Sequence, residues 1–405
     1  MTEKIFRFRW LIIVVMVLAF VPKTVQAEPT VTPETPNLVN GYYQIENEKH
    51  LYWFANEVNS GNTSICAVLT QNIAVNTGGV LKEDGSLIST NPTEDLIQWT
   101  PIGNSSHNYS GTFDGQGNTI SGLYCDGEND YVGLFGYIEK KSQNISKIQN
   151  VGVIDSYIKG NGYVGGVCGQ NFGGIIENCY NTGTVCGNLY IGGVCGYNIG
   201  KATIKNCYNA GFVSGTEVGG VCGRNGYGCI IEKCYNTGVV SGTNEHSVNV
   251  GGVCGDNYYG TITNSYNTGQ VSGIGNIAVN IGGVCGYKSY GTIRNCYNMG
   301  EIVYSENNDN VGGVCGVAIY GTMANCYYLK DENKSQYPGI GNPYSGTEDI
   351  TEGKSADEFA NGSVAWLLNG SMAEGTEENP LAWYQKLGND GNKYPVLLPK
   401  DENTV

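Results

Sequence analysis

Apolar residues along most of this chain come in short pieces, three to a unit, separated by glycine and asparagine. The first piece runs into GGVCG, which begins at Gly165, Gly192, Gly219, Gly251, Gly282 and Gly312, with a related GLFG at Gly133. The second joins Ile176, Ile204, Ile231, Ile262 or Ile293 to a CY or SY pair inside NCYN, KCYN or NSYN. The third reads Gly-x-Val or Gly-x-Ile and ends at Val185, Val213, Val240, Val271 and Ile302. Pieces this short, bounded by residues that tolerate positive φ, predict strands and turns. No helical period runs through the array. The GGVCG anchors lie 27, 27, 32, 31 and 30 residues apart. Three strands in a coil of about 30 residues, repeated six or seven times, predict an all-β solenoid whose like positions stack on neighbouring coils. At about 4.8 Å per coil, seven coils rise roughly 34 Å.

A solenoid has two open ends, and unpaired strand edges there need covering. Helical spacing appears only outside the repeats. Leu51, Phe54, Ala55 and Val58 fall on one helix face within residues 46–60, and Ser355 with Glu358 forms a capping-box pattern ahead of Phe359, Ala365, Trp366 and Leu367. The expected organisation is therefore a signal peptide at 1–27, an N-terminal cap region with a helix at 28–110, a β-solenoid at 111–328, and a C-terminal cap region with a helix and final strand at 329–405. The signal reading rests on Lys4, Arg7 and Arg9 ahead of an apolar run from Trp10 to Val21, closed by Val25-Gln26-Ala27.

Composition narrows the class. The chain has 405 residues with 61 Gly, 29 Tyr and 15 Cys, only 15% charged residues and a net charge of −15. Eleven prolines and no Gly triplet exclude collagen, and 40% hydrophobic content with low charge is the reverse of a disordered composition. Residues 28–132 carry a net −11 and residues 329–405 a net −7, whereas 133–328 balance at zero. Without a basic footprint, neither nucleic acid nor an anionic membrane surface is expected as a partner.

GGVCG, NCYN and Gly-x-Val together resemble the repeats of GLUG-motif proteins, exported bacterial proteins found mostly on Gram-positive surfaces. The flanking blocks fit the same resemblance, with GTFDGQGNTISGLY from Gly111 upstream and VAWLLNG from Val364, WYQKLG from Trp383 and YPVLLP from Tyr394 downstream. The resemblance implies a right-handed parallel β-helix, secreted or displayed on the cell surface, with an adhesin-like role. This chain has Val and Cys where the family commonly has Leu and a small apolar residue. GLUG repeats also precede a zinc peptidase domain in some secreted peptidases, but HExxH does not occur here.

Cysteines form two columns, Cys168, Cys195, Cys222, Cys254, Cys285 and Cys315 in the first anchor, and Cys179, Cys207, Cys234, Cys296 and Cys326 in the second. Stacked positions are close enough for disulfides, yet Ser265 interrupts the second column and the total is odd, so buried free thiols and disulfides both stand as readings. Zinc spacing such as CxxC is missing, and no metal or cofactor is expected. The ten acids between 133 and 328 look scattered, and the single histidine there, His246, falls in a loop. Asp114 and the run Asn389-Asp390-Gly391-Asn392 read as polar turns.

The candidate binding-surface residues are a stacked column of Tyr180, Tyr208, Tyr235, Tyr266, Tyr297 and Tyr327, together with the loop residue His246. If the column faces out it offers an aromatic platform; if it faces in it is packing. A bend at the preceding Asn decides which. Longer units gain residues at one corner, 241–250, 273–281 and 304–311, which project from one side. The expected function is non-enzymatic: surface display or adhesin-like binding of a host or neighbouring-cell protein or glycan, by a monomer. The alternatives are a carbohydrate-active β-helix enzyme, lyase or hydrolase, and a purely structural surface module.

Overall fold

A computed structural model describes residues 30–89, 91–141, 145–242, 248–273, 279–305, 308, 310–330, 337–344, 346–372, 381–388 and 391–397. The signal segment at 1–27, His246, Asn389, Asp390 and about half of the three corner insertions lie outside these residues. The repeats form a right-handed parallel β-helix, and nearly every strand pairs in parallel with its equivalent one coil away. Ile204 pairs with Ile231, Tyr208 with Tyr235, Val213 with Val240 and Cys195 with Cys222.

Each of the five coils between Gly162 and Tyr304 holds five strand segments where three were expected. In one coil they are Leu189–Gly192, Cys195–Ile199, Thr203–Lys205, Tyr208–Asn209 and Val213–Gly215. Two of the predicted pieces are split by sharp corners, one at the paired glycines and one at the first residue of NCYN. That residue is left-handed in every coil, with φ of 54° at Asn178, 52° at Asn206, Lys233 and Asn295, and 49° at Asn264. Asparagine tolerates this conformation better than most residues, which explains its recurrence. The corner also reverses strand alternation, so Ile204 and Cys207 both point inward and Tyr208 points out.

The interior contains columns of Val, Ile and Cys, fully buried at Ile191, Val194, Cys195, Ile204, Cys207 and Val213 in one coil. All fifteen cysteines are free thiols, and no disulfide forms. Ser265 fills its place in the column by donating to Thr263 O at 2.9 Å, as the neighbouring thiols donate two residues back. Burial pushes the Cys168 and Cys222 thiols well above the ordinary range, which makes them inert core residues rather than nucleophiles.

One interior column is polar. Asn181, Asn209, Asn236, Asn267 and Asn298, the last residues of NCYN, are essentially unexposed. The amides of the first four each donate to the next asparagine Oδ1 at 2.8–2.9 Å, and Asn209, Asn236 and Asn267 also donate to the carbonyl two residues on at 2.8–2.9 Å. A buried amide is tolerated because it is satisfied this way. A second ladder links Asn171, Asn198, Asn225 and Asn257 at 2.9–3.0 Å.

Helices stand in both terminal regions. Helix Glu48–Asn59, capped by Asn47 accepting from His50 N at 2.9 Å, lays Leu51, Phe54, Ala55 and Val58 into the core beside Tyr109 and Phe113. The C-terminal helices Ala356–Ala360 and Ser363–Leu368 differ: they lie on the flank of the solenoid, not across its end. The last coil is instead extended by strands Ile340–Pro343 and Thr347–Lys354.

Candidate ligand-binding groove

The predicted tyrosine column points outward. Its rings stack almost parallel, at 4.7 Å between Tyr180 and Tyr208, 4.9 Å between Tyr208 and Tyr235 and between Tyr235 and Tyr266, and 5.0 Å between Tyr266 and Tyr297. Only half of it meets solvent. Tyr180, Tyr208 and Tyr235 are half-buried, whereas Tyr266, Tyr297 and Tyr327 lie beneath Phe359, Val364, Leu368 and Trp383 of the C-terminal region. Tyr297 is fully buried and donates from its hydroxyl to Pro395 O at 2.5 Å. A platform of six rings is thus reduced to three, and stacking leaves mainly their edges exposed.

A second aromatic row was not anticipated. Tyr259, Tyr290 and Tyr320 stack at 4.7 and 4.9 Å on another corner, each with φ between 52° and 55° and each exposed. Their signal in the sequence is a Tyr-Gly pair ahead of the second anchor.

A third arrangement carries more chemistry. The residues just outside the apolar-GGVCG segment flank the glycine corner, and both point out of the coil: Tyr190 and Tyr197 in one coil, Glu217 and Arg224 in the next, Asn249 and Asp256 in the one after. Glycine at Gly196 and Gly223 lets the strands before and after the corner close together, since a Cβ there would stand 2.5 Å from the backbone nitrogens of Val164 and Ile191. Consequently the two flanks face each other across a re-entrant groove. Rings seven residues apart meet, with 5.3 Å between Tyr190 and Tyr197. Tyr163 lies 5.5 Å from Tyr190 and 5.9 Å from Tyr197, and stacks on Tyr131 at 4.9 Å. Tyr131 in turn lines a cavity of about 410 Å³ beside Trp99, Asn104, Asp126 and Lys159.

Beyond the rings the groove becomes charged. The Arg224 guanidinium lies over Tyr190, Tyr197 and Tyr258, 5.3, 5.7 and 5.3 Å from their ring centres. Its Nη1 donates to the Tyr190 hydroxyl at 2.6 Å, and its Nε lies 3.2 Å from Asp256 Oδ2 without the alignment of a hydrogen bond. Glu217 Oε2 and Asp256 Oδ1 are buried and accept nothing. Burial, reinforced by the Asp256 charge and opposed by Arg224, pushes the Glu217 carboxyl up to about 7. Burial against the opposing pull of Arg224 raises Asp256 to about 6. Leaving such an oxygen unpaired costs about 1–3 kcal/mol, so the groove holds unspent capacity to accept hydrogen bonds.

The acids that look scattered along the chain are therefore not all scattered in space. Glu217, Arg224 and Asp256 span 40 residues of sequence and meet because register stacks their coils. The cue was the pair of positions bracketing the anchor, which reads Tyr and Gln, Tyr and Tyr, Glu and Arg, Asn and Asp from one unit to the next. Among the described residues no group of three or more His, Cys, Asp or Glu side chains could hold a metal.

The model of the GLUG motif matches residues 160–185, 187–213, 214–241 and 246–272. The solenoid carries GLUG repeats. In each match the groove residues fall on the strands around the repeat's glycine corner. No curated protein matches the chain. Among solved structures, one described as a putative immunoglobulin A1 protease from Bacteroides ovatus is similar, with a TM-score of 0.54 and 20% identity, over 92% of this chain and 98% of that one. At that identity the likeness concerns the fold: the GLUG solenoid and its flanking regions share one architecture with it.

Proposed function

We propose that this GLUG solenoid is an exported, surface-acting module that binds a glycan in the groove beside its glycine corners. The observation that carries this reading is the run of half-buried rings, Tyr131, Tyr163, Tyr190 and Tyr197, leading to the unpaired oxygens of Glu217 and Asp256. Rings that pack against sugar faces and acceptors that take hydroxyl protons are what a carbohydrate site needs. The outward Tyr180 column serves less well, because the C-terminal region already covers half of it. A glycan-array comparison of the wild type with a Tyr190→Ala, Tyr197→Ala double variant tests the reading. At least a tenfold loss is expected on the glycans that the wild type retains, and an unchanged profile would remove the groove from consideration.

One observation favours a second reading, hydrolysis of the bound chain. Two carboxyls held near neutrality beside a guanidinium could exchange protons with a scissile bond. The similar structure's description as a protease also points toward an enzyme, for a different substrate class. Release of reducing ends from a bound polysaccharide, abolished by Glu217→Gln, would favour hydrolysis over binding alone.

A further inference from the structure

Resting on the glycan reading, we infer that the Glu217–Asp256 pair receives an ammonium group, so that the groove selects glycans containing amino sugars without N-acyl substitution. The first argument is a count of partners. Glu217 Oε2 and Asp256 Oδ1 have no hydrogen-bond donor, and the Asp256 side chain is only 8% exposed, so solvent has little access to it. Carboxylate oxygens in such a place require donors, and an incoming group can supply them.

The second argument is a count of charges. Two carboxylates face one cation. Arg224 is already committed, held by the Tyr190 hydroxyl, paired with Asp256 and framed by three rings. It behaves as a fixed post and, once Glu217 and Asp256 are both ionised, leaves the pair one positive charge short. An anionic sugar such as a uronate would add a third negative charge, and a neutral hydroxyl would leave the deficit in place. An ammonium supplies three donors and the missing charge, the pairing that ionised carboxylates favour.

The third argument concerns the class of polymer. A peptide taken as an added strand needs a free sheet edge, but on this face the strand edges are spent on neighbouring coils. What the groove offers are rings on one side of the charged pair and amides on the other, where Asn280 donates to Asn249 Oδ1 at 2.8 Å. Rings and amides match sugar faces and hydroxyls.

The groups around the pair leave the pH response to the carboxylates. Outside the coil these are Arg224, Tyr190, Tyr197, Tyr258 and Tyr287, and inside it are the Cys254 and Cys285 thiols. Burial is the main cause that holds Tyr190, Tyr197 and Tyr287 above the ordinary phenol range and the two thiols well above theirs. As pH falls to 5, Glu217 and Asp256 take up protons and lose their hold on a cation.

The test is calorimetric titration of the full chain with a β-1,4-linked glucosamine hexamer, its fully N-acetylated counterpart and a lysine hexamer. At pH 7 the free-amine hexamer is expected to bind about tenfold or more tighter than the acetylated one. That advantage should vanish in Glu217→Gln and Asp256→Asn, and the affinity should fall about tenfold at pH 5. Circular dichroism and thermal melting confirm that the variants fold; if Asp256→Asn does not, Glu217→Gln decides alone. Equal binding of both sugar hexamers, or an advantage that survives Glu217→Gln, overturns the ammonium inference while the glycan reading stands. Tighter binding of the lysine hexamer overturns the choice of a glycan. Binding of none of the three overturns the inference, and an array that also retains no glycan removes the reading beneath it.

Discussion

Two outward rows of side chains on one solenoid behave differently. The Tyr180 column repeats the same residue in six coils and stacks it at 4.7–5.0 Å where the rings are paired. The flanks of the glycine corner change from coil to coil: rings, then a charged pair, then amides. A position that holds one residue in every coil serves the stack, because each copy finds its partner in the next copy. Where a flank position changes residue between coils, the ladder breaks, and its side chains are left with capacity that a ligand can use. Glu217 and Asp256 show this directly, each with an oxygen that nothing in the chain satisfies.

The largest effect should come from the covered half of the ladder. Tyr297→Ala removes a fully buried ring wedged against Phe359 and Trp383, 5.5 and 5.4 Å away, together with the hydroxyl bond to Pro395. A loss of about 3–5 kcal/mol is expected, as for other large buried aromatics. Denaturant unfolding measures the loss, and limited proteolysis should show earlier release of the region after residue 355. An unaltered proteolysis pattern would mean that the C-terminal region is held elsewhere.

Next is the interior. Asn236→Ala leaves Asn209 Nδ2 without its acceptor and Asn267 Oδ1 and Gly238 O without their donor. Each orphaned buried group is costly, and together they should lower stability by about 2–4 kcal/mol, measured by urea unfolding. A loss below about 1 kcal/mol would show that the ladder tolerates a gap and that identical stacking is not what holds the coils.

The charged groove should give a smaller effect that depends on pH. The folded chain keeps protons on Glu217 up to about 7 and on Asp256 up to about 6, whereas the unfolded chain releases them near pH 4. Their contribution to stability is therefore fully present below about pH 4, falls progressively as pH rises from there, and is lost once pH has passed through 6 and 7. Glu217→Gln has no charge to bury. It should match the wild type near pH 4, gain on it progressively as pH rises, and exceed it by about 1–2 kcal/mol at pH 8, measured by thermal melting across that range. Equal melting temperatures at pH 8 would mean that Glu217 is better solvated than its burial indicates.

The stack was legible in the sequence and the groove was not, for one physical reason. GGVCG, NCYN and Gly-x-Val announce their columns because register repeats them at a near-constant spacing, and the all-β solenoid follows from that alone. The bend at Asn178 and its equivalents was also foreseeable as the point that decides which way Tyr180 faces. By contrast, Glu217, Arg224 and Asp256 differ from their equivalents in adjacent units, so periodicity hides them. Their meeting depends on two glycine corners closing side by side. The packing of Phe359, Val364, Leu368 and Trp383 over Tyr266, Tyr297 and Tyr327 leaves no periodic trace at all, since it is a tertiary contact between a repeat and a region that does not repeat.

The smallest expected effect separates the two rows most cleanly. Tyr208 lies between Tyr180 and Tyr235 in the open half of the ladder, half-buried, with its ring 4.7 and 4.9 Å from theirs. Tyr208→Ala removes two stacking contacts of about 0.5–1.5 kcal/mol each, but the neighbouring rings can relax toward the gap and solvent already reaches their edges. The net loss should be about 1 kcal/mol, well below that of Tyr297→Ala although both residues occupy the same position in their coils. Glycan binding should stay within about twofold of the wild type, because the groove lies on a different face of the coil. A tenfold loss of binding with stability unchanged would reverse the assignment: the open ladder would then be the binding surface, and the groove residues would be solvated side chains.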